Sequence, residues 1–196
     1  MMRAVLVAVM TLWACLLVAC TTTTNLAGVP ERKPVVKAPP ESRARVHTEL
    51  AALYYQQGSM KTALGELSAA VRSDASYAPA YSMYGLVYAQ LGENALALSS
   101  FEKAIALMPD DPDIRNNYGW FLCATDQPQA DLVQLAQAWQ NPLYETPGVA
   151  LANASRCAQR MGATVLAAQY RQRAERFGVA VEPASSLSGA TSTLSK

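Results

Sequence analysis

The chain has 196 residues, with 16 lysines and arginines against 15 aspartates and glutamates and a single histidine. So even a balance leaves no electrostatic footprint for nucleic acid. The sequence also carries no Gly-rich phosphate loop, no nucleophile set beside a base and no Cys/His spacing for zinc, so it offers no motif for an enzyme, a metal, a cofactor or a small-molecule substrate.

The amino terminus places one positive charge, Arg3, before an apolar run from Ala4 to Leu17. A bilayer-spanning helix needs roughly 20 apolar residues, so this shorter run reads as an export signal. Its end is more specific: Leu17-Val18-Ala19-Cys20 resembles the lipobox of bacterial lipoproteins, which are cut before the cysteine and lipidated on it. The resemblance implies a signal peptide over 1–19, a lipid on Cys20 and contact with the membrane through that anchor. Thr21 stands where an aspartate would retain such a lipoprotein at the inner membrane, which implies an outer-membrane location facing the periplasm. Cys15 leaves with the signal, and Cys123 and Cys157 remain in a compartment where disulfides persist.

Residues 20–40 continue as TTTTNLAGVPERKPVVKAPP after the cysteine, with four prolines and no helical period. Pro-rich segments stay partly extended at about 3 Å per residue, so this stretch is expected to tether the following domain. At the other end, the Ser, Thr, Ala and Gly that dominate the sequence after Phe177 predict disorder, and 180–196 is assigned as a tail.

Between these tails, over 41–179, the sequence repeats itself with a period of 34 residues. Gly92 falls under Gly58, Ala97 under Ala63, Phe101 under Leu67 and Ala104 under Ala70. Within each unit, apolar or small residues recur three, four and seven apart, as Leu50, Ala51 and Tyr54 or Tyr81, Tyr84, Gly85 and Tyr88 do. That spacing is one face of an α-helix. Paired short helices cannot bury such faces alone, but stacked copies share a continuous core.

This pattern resembles the tetratricopeptide repeat, and the resemblance implies an all-α superhelix of four helix-turn-helix units at 44–77, 78–111, 112–147 and 148–179. Small residues fall where helices touch (Ala51, Gly85, Gly119, Ser155), glycines at turns (Gly58, Gly92, Gly162) and Pro109 closes the second unit. Departures are specific. His47 replaces a large apolar residue, Ala75 a closing proline, Asp126 a turn glycine and Asp131 a small residue, and Arg171 stands where an aromatic is usual. His47 is read as a packing residue. Asp110, Asp111 and Asp113 are read as helix-capping rather than metal-binding, because they surround Pro112 between two helices.

Tetratricopeptide arrays bind partners on the face formed by successive first helices. By the repeat frame that face carries Thr48, Ala52 and Tyr55, then Ser82, Leu86, Ala89 and Gln90, then Asn116, Trp120 and Cys123, then Arg156 and Gln159. The candidate partner-binding residues are Tyr55, Leu86, Gln90, Asn116, Trp120 and Arg156. Two readings stand for Trp120, an exposed aromatic hot spot or a ring packed between helices. Thr48 and Ala52 occupy places where co-chaperones of this class carry a lysine and asparagine that clamp a peptide carboxylate, so that chemistry is not expected.

The segments NNYGWFLC at 116–123 and NPLYETPGVALANASRCA at 141–158 are similar to the type IV pilus biogenesis and stability lipoproteins of the PilF/PilW family. That resemblance implies a pilotin: a non-enzymatic outer-membrane adaptor whose partner is the secretin subunit of the pilus machinery. The alternative is an adaptor lipoprotein for a cell-wall enzyme or an outer-membrane assembly complex. In the repeat frame Cys123 and Cys157 both lie near the end of a first helix, in neighbouring units, and such helices run side by side. A bridge between them is therefore expected, provided their Cα atoms approach within about 4.4–6.8 Å.

Overall fold

A computed structural model describes residues 38–125 and 128–182; the side chains of 128–131 lie outside that description, as do Cys20, the tether residues up to 37, Asp126 and the tail from 183. Eight helices follow one another among the described residues, without a strand: α1 (Pro40–Gln56), α2 (Met60–Ser73), α3 (Ala78–Gln90), α4 (Asn94–Leu107), α5 (Pro112–Ala124), α6 (Pro128–Gln140), α7 (Pro147–Arg160) and α8 (Thr164–Arg176). They pack as four hairpins, α1 with α2 through α7 with α8, and the first helix of each hairpin also packs on the first helix of the next. The fold is the all-α tetratricopeptide stack that the sequence resembles.

Local chemistry sets the helix ends. Proline opens α1, α5 and α7, where its fixed φ suits the first turn and no hydrogen bond is lost. Asp111 caps α5, its Oδ1 accepting from the Ile114 backbone N–H at 2.9 Å. The turn glycines Gly58, Gly92 and Gly162 have φ of 75°, 77° and 72°. In the first of these turns the Gly58 N–H donates to the Tyr55 carbonyl at 3.0 Å and the Ser59 N–H to the Tyr54 carbonyl at 2.8 Å. This bond pair ends a helix on a left-handed residue, which glycine adopts without a Cβ penalty. After α2, where Ala75 replaces a closing proline, the Asp74 carboxylate bends the chain instead. It accepts from the Ser76 N–H at 2.8 Å and from the Ser76 hydroxyl at 2.6 Å, and these bonds hold it below its ordinary pKa.

The repeat positions form the core. Ala51, Ala63, Leu67 and Ala70 in the first unit are fully buried, as are Ala97, Phe101 and Ala104 in the second. Gly85 lets α3 and α4 meet: a Cβ there would stand 2.6 Å from the Phe101 ring. Ser155, at the same place in α7, is fully buried and donates its hydroxyl to the Ala167 carbonyl of α8 at 2.8 Å. His47 joins α1 to α2 through Nδ1, 2.7 Å from the Glu66 carboxylate, so it makes a polar link where an apolar contact is usual.

Arg171 has a physical explanation in the stack. Leu67, Phe101 and Leu135 occupy the equivalent place in the earlier units and are fully buried, Phe101 and Leu135 among side chains of the following hairpin. No hairpin follows α8 among the described residues, and Arg171 lies 3.8 Å from Glu175 one turn away. A polar face on the last helix caps a repeat array.

Residues 178–182 differ from the disorder expected of the segment after Phe177, whose residues from 183 on lie outside the described ones. Gly178 turns the backbone at φ 77°, the Val179 N–H donates to the Ala174 carbonyl at 3.2 Å, and Val181 is buried with Leu151, Ala152 and Ala174. Residues 178–182 thus return over the last hairpin, and a Cβ on Gly148 would meet Phe177 and Val179 at 2.7 and 2.8 Å. The physical reason is apolar area: the end of the stack offers an uncovered surface, and two valines in a Ser- and Ala-rich segment suffice to bury some of it.

Candidate functional site

The first helices α1, α3, α5 and α7 lie side by side, so residues far apart in sequence line one face. Hydrogen bonds cross between these helices at mid-height. The Asn117 amide of α5 donates to the Ser82 hydroxyl of α3 at 3.2 Å, and the Asn153 amide of α7 donates to the Asn116 side-chain carbonyl of α5 at 3.0 Å. Arg156 then donates to the Asn153 side-chain carbonyl at 3.1 Å. Bonds anchored on the buried Ser82 and Asn116 fix the lateral register of neighbouring helices.

Above this floor the expected residues divide. Trp120 is 36% exposed, so its ring is partly packed and partly accessible. Arg156 and Gln90 are exposed. Tyr55 and Leu86 are half-buried and pack on the core, Leu86 touching both the first-unit cluster and the Phe101 cluster. Leu86 therefore supports the fold as well as the face. Asn116 is buried and bonded to Asn153, so it belongs to the floor and is not free for a partner. Ser82 is buried beneath Asn117, and Cys123 is buried with Cys157.

A disulfide joins Cys123 of α5 to Cys157 of α7, with the Cα atoms 5.6 Å apart. It clamps the two first helices beside Leu135 and Ala154, with Cys123 three residues after Trp120 on α5.

At the other end of the same face, Asp113 stands in the first turn of α5. Partial loss of water pushes its carboxyl above the ordinary range, and the charges of Asp111 and Glu145 push the same way. Asn117 and Asn153 are site residues that sequence reading did not single out. Their signal was present: they stand 36 apart, one repeat period plus the two extra residues of the third unit. Among the described residues no group of three His, Cys, Asp or Glu side chains comes together as a metal site would require.

The tetratricopeptide-repeat family profile matches residues 55–176. A Haemophilus influenzae protein described only as uncharacterized is 30% identical over 104 residues, 53% of this chain and 58% of that protein. Among solved structures, PilW, described as a widely conserved type IV pilus biogenesis factor, is 31% identical with a TM-score of 0.62, covering 67% of this chain and 60% of PilW. Pseudomonas aeruginosa PilF shares the fold with a TM-score of 0.66 at 24% identity, covering 71% of this chain and 63% of PilF. The matched stretch thus spans about three fifths of the length of each relative.

Proposed function

The chain belongs to the tetratricopeptide-repeat family, and from that premise we propose that it is a lipid-anchored adaptor in type IV pilus biogenesis. The observation that carries the reading is the likeness to PilW, at 31% identity and a TM-score of 0.62. A repeat stack of this kind is a protein-interaction module, and the face carrying Trp120 and Arg156 is the surface on which it would receive its client. The proposed client is the secretin subunit of the pilus machinery. Lipid on Cys20 would hold the adaptor at the outer membrane, because several acyl chains on one residue make a durable anchor where a single chain holds only weakly.

The test is capture of secretin from solubilised envelope membranes by the full lipidated chain. Secretin is expected with the wild type and strongly reduced with Trp120→Ala, since truncating an aromatic hot spot costs about 2 kcal/mol or more of binding. Trp120 is preferable to Leu86 for this purpose because Leu86 also packs on the core. Recovery of a cell-wall enzyme or a barrel-assembly component without secretin would overturn the pilus reading. Continued recovery of Cys20→Ala in the outer-membrane fraction would overturn the anchor.

A further inference from the structure

The face of the first helices is chemically two-ended. On α5, Asp113, Asn117 and Trp120 stand at i, i+4 and i+7, a spacing that sets side chains on one side of a helix. Alongside them α3 carries Pro79, Ser82, Met83 and Leu86 in the same succession. Near the starts of α3 and α5, and against Thr48 of α1, lies a cleft of about 180 Å³. It is lined by the apolar Pro79, Met83 and Ile114, by the polar Ser82 and Asn117, and by the carboxylates of Asp111 and Asp113.

The two carboxylates are not equivalent. Asp111 accepts the Ile114 N–H as the cap of α5, whereas among the described residues Asp113 meets only the like charges of Asp111 and Glu145. Among the described residues no lysine or arginine lines the cleft. A basic side chain of a partner would offset this repulsion. Small-molecule sites usually measure roughly 300–1,000 Å³, so the cleft is sized for a single side chain. Two turns up the helix Trp120 offers an exposed ring.

We propose that the cleft and the Trp120 surface form one site for an extended peptide, with a lysine or arginine side chain in the cleft against Asp113 and an apolar side chain on Trp120. The inference rests on this face being the client-binding face and adds the chemistry of the client segment. Seven residues of helix separate the two subsites by about 10.5 Å along the axis. An extended strand advances about 3.3 Å per residue, so the basic and apolar residues of the peptide stand about three positions apart. The amide floor between them, already bonded within itself, reads no particular side chain. Charge complementarity of this kind sets which partner is accepted more than how tightly it is held.

The experiment is selection of a random decapeptide phage library on the immobilised full chain, repeated with Asp113→Lys and Asp113→Asn. Wild type is expected to enrich peptides with Lys or Arg about three positions from a large apolar residue. Asp113→Lys should exchange the basic residue for an acidic one at the same spacing, and Asp113→Asn should lose the charge preference while keeping the apolar one. Changing the basic residue of the consensus peptide to glutamate should weaken wild-type binding about tenfold by fluorescence anisotropy. No enrichment, enrichment without a basic residue, or a consensus unchanged by Asp113→Lys in a protein of unaltered helicity would each overturn the proposal. Secretin capture is scored separately. Its failure with wild type removes the pilus reading while a charge-swapped consensus stands, and a consensus without charge removes the two-ended site whatever the capture shows.

Discussion

The junction between the second and third hairpins and that between the third and fourth solve the same packing problem by different means. At the first, Phe101 fills the space left by Gly85 and meets Tyr118 and Phe121 of α5, with ring centroids 5.5 and 5.3 Å away. At the second, the smaller Leu135 occupies the equivalent place, Trp139 and Tyr170 pack against it only partly buried, and the Cys123–Cys157 bond supplements Leu135 and Ala154. Burial of large rings is strong wherever the protein folds, because it depends on area removed from water. A disulfide acts chiefly by restricting the unfolded chain, and only under oxidising conditions. One stack thus holds consecutive units by interactions with different environmental requirements, and Trp120 lies on α5, the helix that both junctions share.

The largest way to break the contrast is Phe101→Ala. Deleting a buried phenylalanine costs about 3–5 kcal/mol, and hydrogen exchange should accelerate in α3, α4 and α5 before it does in α7 and α8. Uniform acceleration along the chain would show that the junctions do not open separately. Reduction of the disulfide, or Cys123→Ser with Cys157→Ser, comes next. A loop of this length contributes roughly 3–4 kcal/mol by chain entropy, so thermal unfolding should fall by roughly 10 °C. The protection lost should lie in α6, α7 and α8. Reductant should leave the melting of a double serine variant unchanged, which separates this effect from any other action of the reagent.

Gly85→Ala sharpens the aromatic side of the comparison. The added methyl would stand 2.6 Å from the Phe101 ring, and overpacking of this sort costs about 1–3 kcal/mol. Combining it with Phe101→Leu should cost less than the two changes added together, since residues in contact are coupled. Additive losses in thermal or denaturant unfolding would mean that the ring shifts freely and that the junction is looser than its geometry.

Much of this architecture was legible because it repeats. Gly58, Gly92 and Gly162 mark turns since each takes a left-handed backbone conformation, and the small residues at Ala51, Gly85 and Ser155 mark helix contacts, being buried there, with a Cβ at Gly85 already meeting the Phe101 ring. Asp111 was legible as a cap from its place before Pro112. The candidate face was legible as a list of positions, because the repeat frame determines which side of a first helix faces outward. It did not separate Trp120, which is exposed, from Asn116, which is buried and bonded to Asn153. That difference depends on what the neighbouring helix brings alongside.

The sequence by itself determined the all-α class, the number and order of the hairpins and their turns, because hydrophobic period, glycine and proline act within one or two helical turns of their own position. It also determined that Arg171 departs from the pattern. Only the tertiary structure decided that this departure faces the end of the stack, that Val181 folds back over α7 and α8, and that Ser82, Asn117 and Asp113 share a cleft with Thr48. Those outcomes depend on contacts between residues 34 or more apart or on surface left uncovered at the end of the stack, and burial and hydrogen bonding there are properties of the packed helices rather than of any one segment.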